Sequence, residues 1–181
     1  MTAVPKPQYY TAEEYFALPA ADTERTELIY GEIVAMAPPK RSHQMLSYRI
    51  HREIDDFIST NHGKCEVNEG VGAKLDDTTL VIPDVMVVCD TEKLDDRYCN
   101  GAPDWVIEIL STNRIQDLRV KLGLYQDHGV REYWIVDPVS QKTLVYFFEK
   151  SDLPDIYTFD TPIPVGIYDK ALSIRIADLL A

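Results

Sequence analysis

Residues 104–110 read DWVIEIL, and the interpretation of this stretch decides the fold. Trp105, Val106, Ile107, Ile109 and Leu110 form a nearly continuous apolar run of strand length. A strand that is apolar at successive positions buries both faces, so the run predicts a central strand covered on both sides. Its one internal acid, Glu108, is out of place. An ionised carboxylate inside an apolar strand is costly unless a partner meets it.

Working toward the C-terminus, a helix is expected over about 115–128. Ile115, Leu118, Leu122 and Tyr125 share one of its faces, and Gly129 ends it. REYWIVD (131–137) reads as another strand. TLVYFFE (143–149) pairs with it across a turn at Asp137-Pro138. After a proline-rich stretch, ALSIRIADLL (171–180) predicts a last strand and a helical turn.

Toward the N-terminus, LVIPDVMVV (80–88) is an apolar run interrupted by Pro83-Asp84. CEVNEGVGAKL (65–75) alternates loosely, as strand sequence does, with a turn at Asp76-Asp77. Thr91 to Gly101 reads as a charged loop. A long helix is expected from about Ser42 to His62, because Leu46, Ile50, Ile54, Phe57 and Ile58 recur at spacings of three and four. Gly63 is its stop. TELIYGEIVAM (26–36) predicts a hairpin about Tyr30-Gly31. Thr11-Ala12-Glu13-Glu14 is a capping box that opens a short helix through Tyr15 and Leu18, stopped by Pro19. The order helix, hairpin, helix, strands, helix, strands is that of an α/β (α+β) fold with a mixed β-sheet flanked by helices.

The chain has 181 residues, which fits one domain over 1–181. No apolar run approaches the ~20 residues of a membrane helix, so no membrane is expected. MTAVPKPQYY lacks the apolar core of a signal peptide, and the expected location is cytoplasmic. Cys65, Cys89 and Cys99 are odd in number and form no CxxC, so free thiols are expected and a zinc site is not. The net charge is −12, from 18 basic and 30 acidic residues. Such a surface repels phosphate backbones, although a metal ion inverts the field of a local cleft.

Asp84 is the second misplaced acid. Each acid taken singly has an ordinary explanation: Glu108 paired with Arg114 or Arg131, Asp84 capping the turn at Pro83. Taken together they suggest more. Two carboxylates on adjacent strands repel, and a divalent cation such as Mg²⁺ or Mn²⁺ relieves the repulsion. Lys121 flanks the buried face of the following helix and can reach both acids to steady water or developing negative charge. Its ordinary alternative is an exposed ion pair with Asp117.

Pro83-Asp84, then Glu108, then a lysine resembles the PD-(D/E)xK nuclease superfamily. The usual lysine lies two residues after the second acid, where this chain has Leu110, so the pattern is that of the variant with the lysine on the following helix. The longer string TELIYGEIVAMAPP, RSHQ, IPDVMVV, APDWVIEILS and KLGLYQDHGVREYWIVDP resembles the Uma family of restriction endonucleases over about residues 10–150, leaving 151–181 as an extension. The resemblance implies a restriction-endonuclease-like core, with Asp84 and Glu108 as metal ligands and Lys121 as catalytic lysine. Glu27 matches a family acid near the same site, and His43 matches a family histidine. Lys40, Arg41 and His43 sit at the start of the long helix, a favourable place to meet DNA phosphate.

Three readings compete. The first is a Mg²⁺-dependent endonuclease acting on DNA, for which cutting both strands favours a homodimer. The second is a non-catalytic binding domain presenting Tyr133, Trp134, Tyr146, Phe147 and Phe148. The third is a metal-free acid/base hydrolase, disfavoured because a lysine lowers the pKa of both acids.

Overall fold

In the computed structural model, which describes residues 9–111 and 115–180 (backbone alone over 115–118), Thr11 opens the first helix, α1 (Ala12–Ala17). Its hydroxyl accepts from the Glu14 N–H, and the Glu14 carboxylate accepts from the Thr11 N–H at 2.8 Å, the reciprocal pair expected. A short helix not expected from the sequence, α2 (Ala20–Thr23), follows Pro19. The hairpin forms from β1 (Thr26–Ile29) and β2 (Glu32–Ala35). Tyr30 and Gly31 both take positive φ, 51° and 83°, the conformation a two-residue turn needs to match strand twist.

Helix α3 (Arg41–Thr60) buries the stripe Leu46, Ile50, Ile54 and Ile58. The left-handed residue at its end is His62 (φ 52°), not Gly63. The Gly63 N–H instead reaches back to the Ile58 carbonyl at 2.9 Å. The stretch from residue 65 forms two strands, β3 (Glu66–Asn68) and β4 (Gly72–Asp76), separated at Gly70, whose φ is +69°. β5 (Thr79–Val81) and β6 (Val85–Val88) are separated at Pro83. β7 (Tyr98–Asn100) lies within the stretch expected to be loop. β8 (Trp105–Ile109), α4 (Ile115–Asp127), β9 (Glu132–Asp137) and β10 (Lys142–Phe147) follow. β11 (Asp155–Thr158), β12 (Ile163–Pro164) and β13 (Ser173–Ile174) complete the strands.

The expected single mixed sheet is therefore two main sheets. One has the order β2-β1-β5-β4-β7, the other β11-β10-β9-β8-β6-β3. Gly70 and Pro83 are the crossing points: glycine permits the sharp turn, and proline has no N–H to continue a ladder. In the six-stranded sheet, β8 and β9 are parallel and α4 is the crossover between them, while every other pair is antiparallel.

β8 is buried on both faces, as its sequence demands. Trp105, Ile107 and Ile109 pack with the α3 stripe. Val106, on the other face, packs with Leu124 and Tyr125 of α4. Tyr133, Trp134 and Tyr146 are buried, so they offer no contact surface. The C-terminal stretch contributes Leu172, Ile174 and Ile176 to the α3 side of this core, and Arg49 donates to the Leu179 carbonyl at 2.6 Å.

The expectation of three free thiols is overturned. Glu66 pairs with Val88, which sets Cys65 opposite Cys89, and these two form a disulfide. Cys99 is free and buried. Among the described residues no helix is long and apolar enough to cross a membrane.

Candidate active site

Five pieces of chain meet at the carboxyl end of β8. The β6–β8 register, Val85 against Ile107, brings Asp84 alongside the end of β8, where the Ile109 N–H donates to Asp84 Oδ2 at 2.7 Å. Glu108 projects to the α4 side and is 3% exposed. Lys121, 1% exposed, donates to Glu108 Oε1 at 3.0 Å and to Glu27 Oε1 at 2.8 Å. Glu27 comes from β1, and its Oε1 also accepts the Ile82 N–H at 2.8 Å. The Tyr125 hydroxyl donates to Glu108 Oε1 at 2.9 Å. On the other side of β8, His43 Nε2 lies 3.0 Å from Asp84 Oδ2 and 3.0 Å from the Ile109 carbonyl. Both neighbours are acceptors, which assigns the proton to Nε2. Ser47 donates to the Asp84 carbonyl at 3.1 Å.

The structure thus brings together Asp84, Glu108, Lys121, Glu27 and His43. At the start of α3 it separates Arg41 from His43, because residues two apart on a helix point about 200° apart, while Lys40, the N-cap, stays near His43. His43 turns inward onto Asp84. Arg41 lines a different cavity with Arg49 and Leu179. Lys40 stays at the rim of a cavity of about 230 Å³ that His43 shares.

The ordinary explanations are settled in part. Arg131 pairs with Asp104 at 3.2 Å and Glu149 at 2.8 Å, so it is not the partner of Glu108. Asp84 reaches across to β8 instead of merely capping the Pro83 turn. Glu27, readable as an exposed hairpin acid, is buried. Arg114 and the side chains of Ile115, Asp117 and Leu118 lie outside the described residues.

Burial pushes the Glu108 carboxyl up to about 7. The Lys121 charge opposes that rise, while Asp84 and Glu27 add to it. The expectation that the lysine lowers the pKa of both acids fails at Glu108, because desolvation outweighs one ammonium. Burial also holds the Tyr125 hydroxyl well above its ordinary value, with Glu108 adding to the effect. Tyr125 was legible only as part of an apolar helix face, yet it stands four residues after Lys121, on the same side of α4.

The donor set fits a small hard cation. Among the described residues, hydrogen bonds to the two acids fall on Asp84 Oδ2 and Glu108 Oε1, leaving Asp84 Oδ1 and Glu108 Oε2 as hard-oxygen donors. Mg²⁺ is commonly held by one or two carboxylates, with waters and substrate phosphate completing its shell. Among the described residues no cluster of three acidic, histidine or cysteine donors forms, which argues against an all-protein cage.

Fold and site together define a restriction-endonuclease-like protein: a mixed α/β core with one acid just before a strand, a second within the neighbouring strand, and a buried lysine. The family profile Uma2, described as "Putative restriction endonuclease", matches residues 12–162, and the chain belongs to that family. A solved structure described as "a putative nuclease belonging to DUF820" from Anabaena variabilis superposes with a TM-score of 0.77. It is 23% identical and covers 94% of this chain and 97% of that one. This likeness shows the shared fold. An uncharacterized protein of Synechocystis sp. is 27% identical over 141 residues, 76% of this chain and 80% of that protein.

Proposed function

We propose that the chain is a divalent-metal-dependent endonuclease that hydrolyses phosphodiester bonds in DNA. The observation that supports this best is the division of labour at the two acids. Among the described residues, Asp84 and Glu108 each have one oxygen held by protein donors and one left over, beside a buried lysine. Asp84 and Glu108 would hold Mg²⁺ or Mn²⁺. When bound, the ion would supply charge neutralisation at the phosphate and acidification of water. Lys121 orients the attacking water and stabilises negative charge developing on the phosphate oxygens. Glu27 fixes the ammonium in place. His43 and the Ile109 N–H hold the Asp84 carboxylate in one orientation. The family's description supports DNA as the substrate of this proposal, and a homodimer, a cytoplasmic location and a single domain over 1–181 are parts of it.

The test is calorimetric titration of Mn²⁺ and Mg²⁺ into the parent, Asp84→Ala and Glu108→Ala, with folding checked by circular dichroism. Plasmid cleavage is followed in parallel. Saturable binding and metal-dependent nicking in the parent, both lost in the two variants, are expected. A parent that binds neither ion, with or without DNA, would sink the catalytic reading and leave a binding domain on a nuclease-like fold.

A further inference from the structure

Asp84 opens onto a cavity of about 400 Å³ whose lining includes His43, Ile82, Pro38, Ser111 and Arg25. Arg25 stands just before β1, two residues from Glu27, and is exposed. Its backbone is left-handed, with φ at 54°, a region that disfavours any residue with a Cβ. The surrounding chain enforces that conformation. The Met36 N–H donates to the Arg25 carbonyl at 2.7 Å, and the next carbonyl, Thr26, accepts from the buried Tyr15 hydroxyl at 3.0 Å. No ion pair among the described residues involves Arg25, although the chain carries 30 acids. An exposed arginine on a strained but fixed backbone, lining the cavity that reaches Asp84, is placed for an anionic ligand.

We propose that Arg25 binds the DNA phosphodiester backbone at this cavity and positions it against Asp84. The assignment rests on the nuclease reading and adds the substrate contact that reading lacks. It also answers the charge problem: an acidic chain binds a polyanion through a local guanidinium fork, not through its net charge.

The test measures a short fluorescein-labelled duplex binding to parent, Arg25→Lys, Arg25→Gln and Arg25→Gly by anisotropy. Ca²⁺ takes the same oxygen donors as Mg²⁺ and is added throughout. Mn²⁺ affinity and melting temperature are recorded for each variant. Arg25→Gln and Arg25→Gly should weaken duplex binding about ten-fold and reduce the slope of log K against log salt by about 1. Both should keep the parent's Mn²⁺ affinity. Arg25→Gly should also melt no lower than the parent, because glycine relieves the left-handed strain. Arg25→Lys should keep the salt slope while losing part of the affinity. Variants that bind the duplex as the parent does, with an unchanged salt slope, overturn the Arg25 assignment alone. A parent that takes up no duplex overturns the nuclease reading with it.

Discussion

Glu108 and Glu132 are both acids buried in the six-stranded sheet, on the neighbouring parallel strands β8 and β9, and they are held in opposite ways. Glu132 begins β9. Its Oε1 accepts from the Trp134 indole at 2.7 Å and its Oε2 from the Ile167 N–H at 2.9 Å. Gly166 makes the second bond possible: a Cβ there would stand 2.8 Å from the Phe147 ring and 3.1 Å from Glu132 Oε2. Burial raises the Glu132 pKa, and these neutral donors oppose the rise. Glu108 lies near the carboxyl end of β8. Among the described residues its donors, an ammonium and a phenol, reach the same oxygen. Ligands of open α/β sheets gather outside the carboxyl ends of strands, and Glu108 is at that end while Glu132 is at the other. A structural acid commits both oxygens to the protein; a site acid holds one back.

The largest effect that sharpens this contrast is expected at Lys121. Lys121→Met keeps the length of the side chain but leaves Glu27 and Glu108 buried without their cation. Breaking a buried ion pair from one side costs about 3 to 5 kcal/mol, so chemical denaturation at neutral pH should show a loss of that order. A loss well under 1 kcal/mol would mean that water, not Lys121, satisfies these acids. Next come the paired substitutions Glu108→Gln and Glu132→Gln. Glu132→Gln sets an amide N–H against a backbone or indole N–H, and should cost about 1 to 3 kcal/mol while leaving Mn²⁺ affinity intact. Glu108→Gln should abolish Mn²⁺ binding at a smaller cost in stability. Equal loss of metal binding in both variants would dissolve the distinction.

Glu108 was legible because DWVIEIL surrounds it with apolar residues on both sides. Glu132 follows Arg131 at the start of its strand, where an acid reads as an ordinary polar end, and its burial depends on Ile167, 35 positions away. Lys121 was legible from its place beside an apolar helix face. The two-sheet architecture was not, because Gly70 and Pro83 mark breaks without saying which edge the next strand will join. The Cys65–Cys89 bond depends on that same choice, since β3 must first pair with β6. The contact of His43 with Asp84 spans 41 positions and leaves no periodic trace; the sequence offered His43 as a match to a family histidine and as a residue facing phosphate.

Tyr125→Phe probes the phenol that shares Glu108 Oε1 with Lys121. Outer partners of metal ligands commonly contribute about 10- to 100-fold in metal affinity. Lys121 remains in the variant, so a Mn²⁺ affinity weakened about ten-fold is expected, with folding intact. An unchanged affinity would mean that Lys121 alone orients Glu108.

The smallest effect is expected at the far end of the helix that carries Lys121. His128 Nδ1 accompanies the Leu124 carbonyl at 2.8 Å, and its Nε2 lies 2.9 Å from Asp76 Oδ2, which fastens the end of α4 to β4 in the other sheet. Burial opposes the His128 charge, but the Leu124 carbonyl and Asp76 outweigh it, and the pKa is raised. Burial likewise works to raise Asp76, and its bonds from Thr78 and His128 outweigh that, so its pKa is lowered. A histidine with a raised folded pKa contributes its full stability below its unfolded value of about 6.5 and loses it as pH rises through the folded value. Asp76 contributes above its ordinary carboxylate value and loses that contribution as pH falls through the lowered folded one. The pair therefore acts in the window between, near pH 5 to 6. Because Asp76 is partly exposed, solvent screening limits the effect to about 1 kcal/mol or less. His128→Ala should cost most near pH 5.5, and the difference from the parent should shrink toward pH 9. A difference that stayed flat across that range would assign the contact to packing, not charge. If Mn²⁺ affinity held while this stability fell, Lys121 would be positioned by Glu27 and Glu108 themselves, independently of how the far end of α4 is tied down.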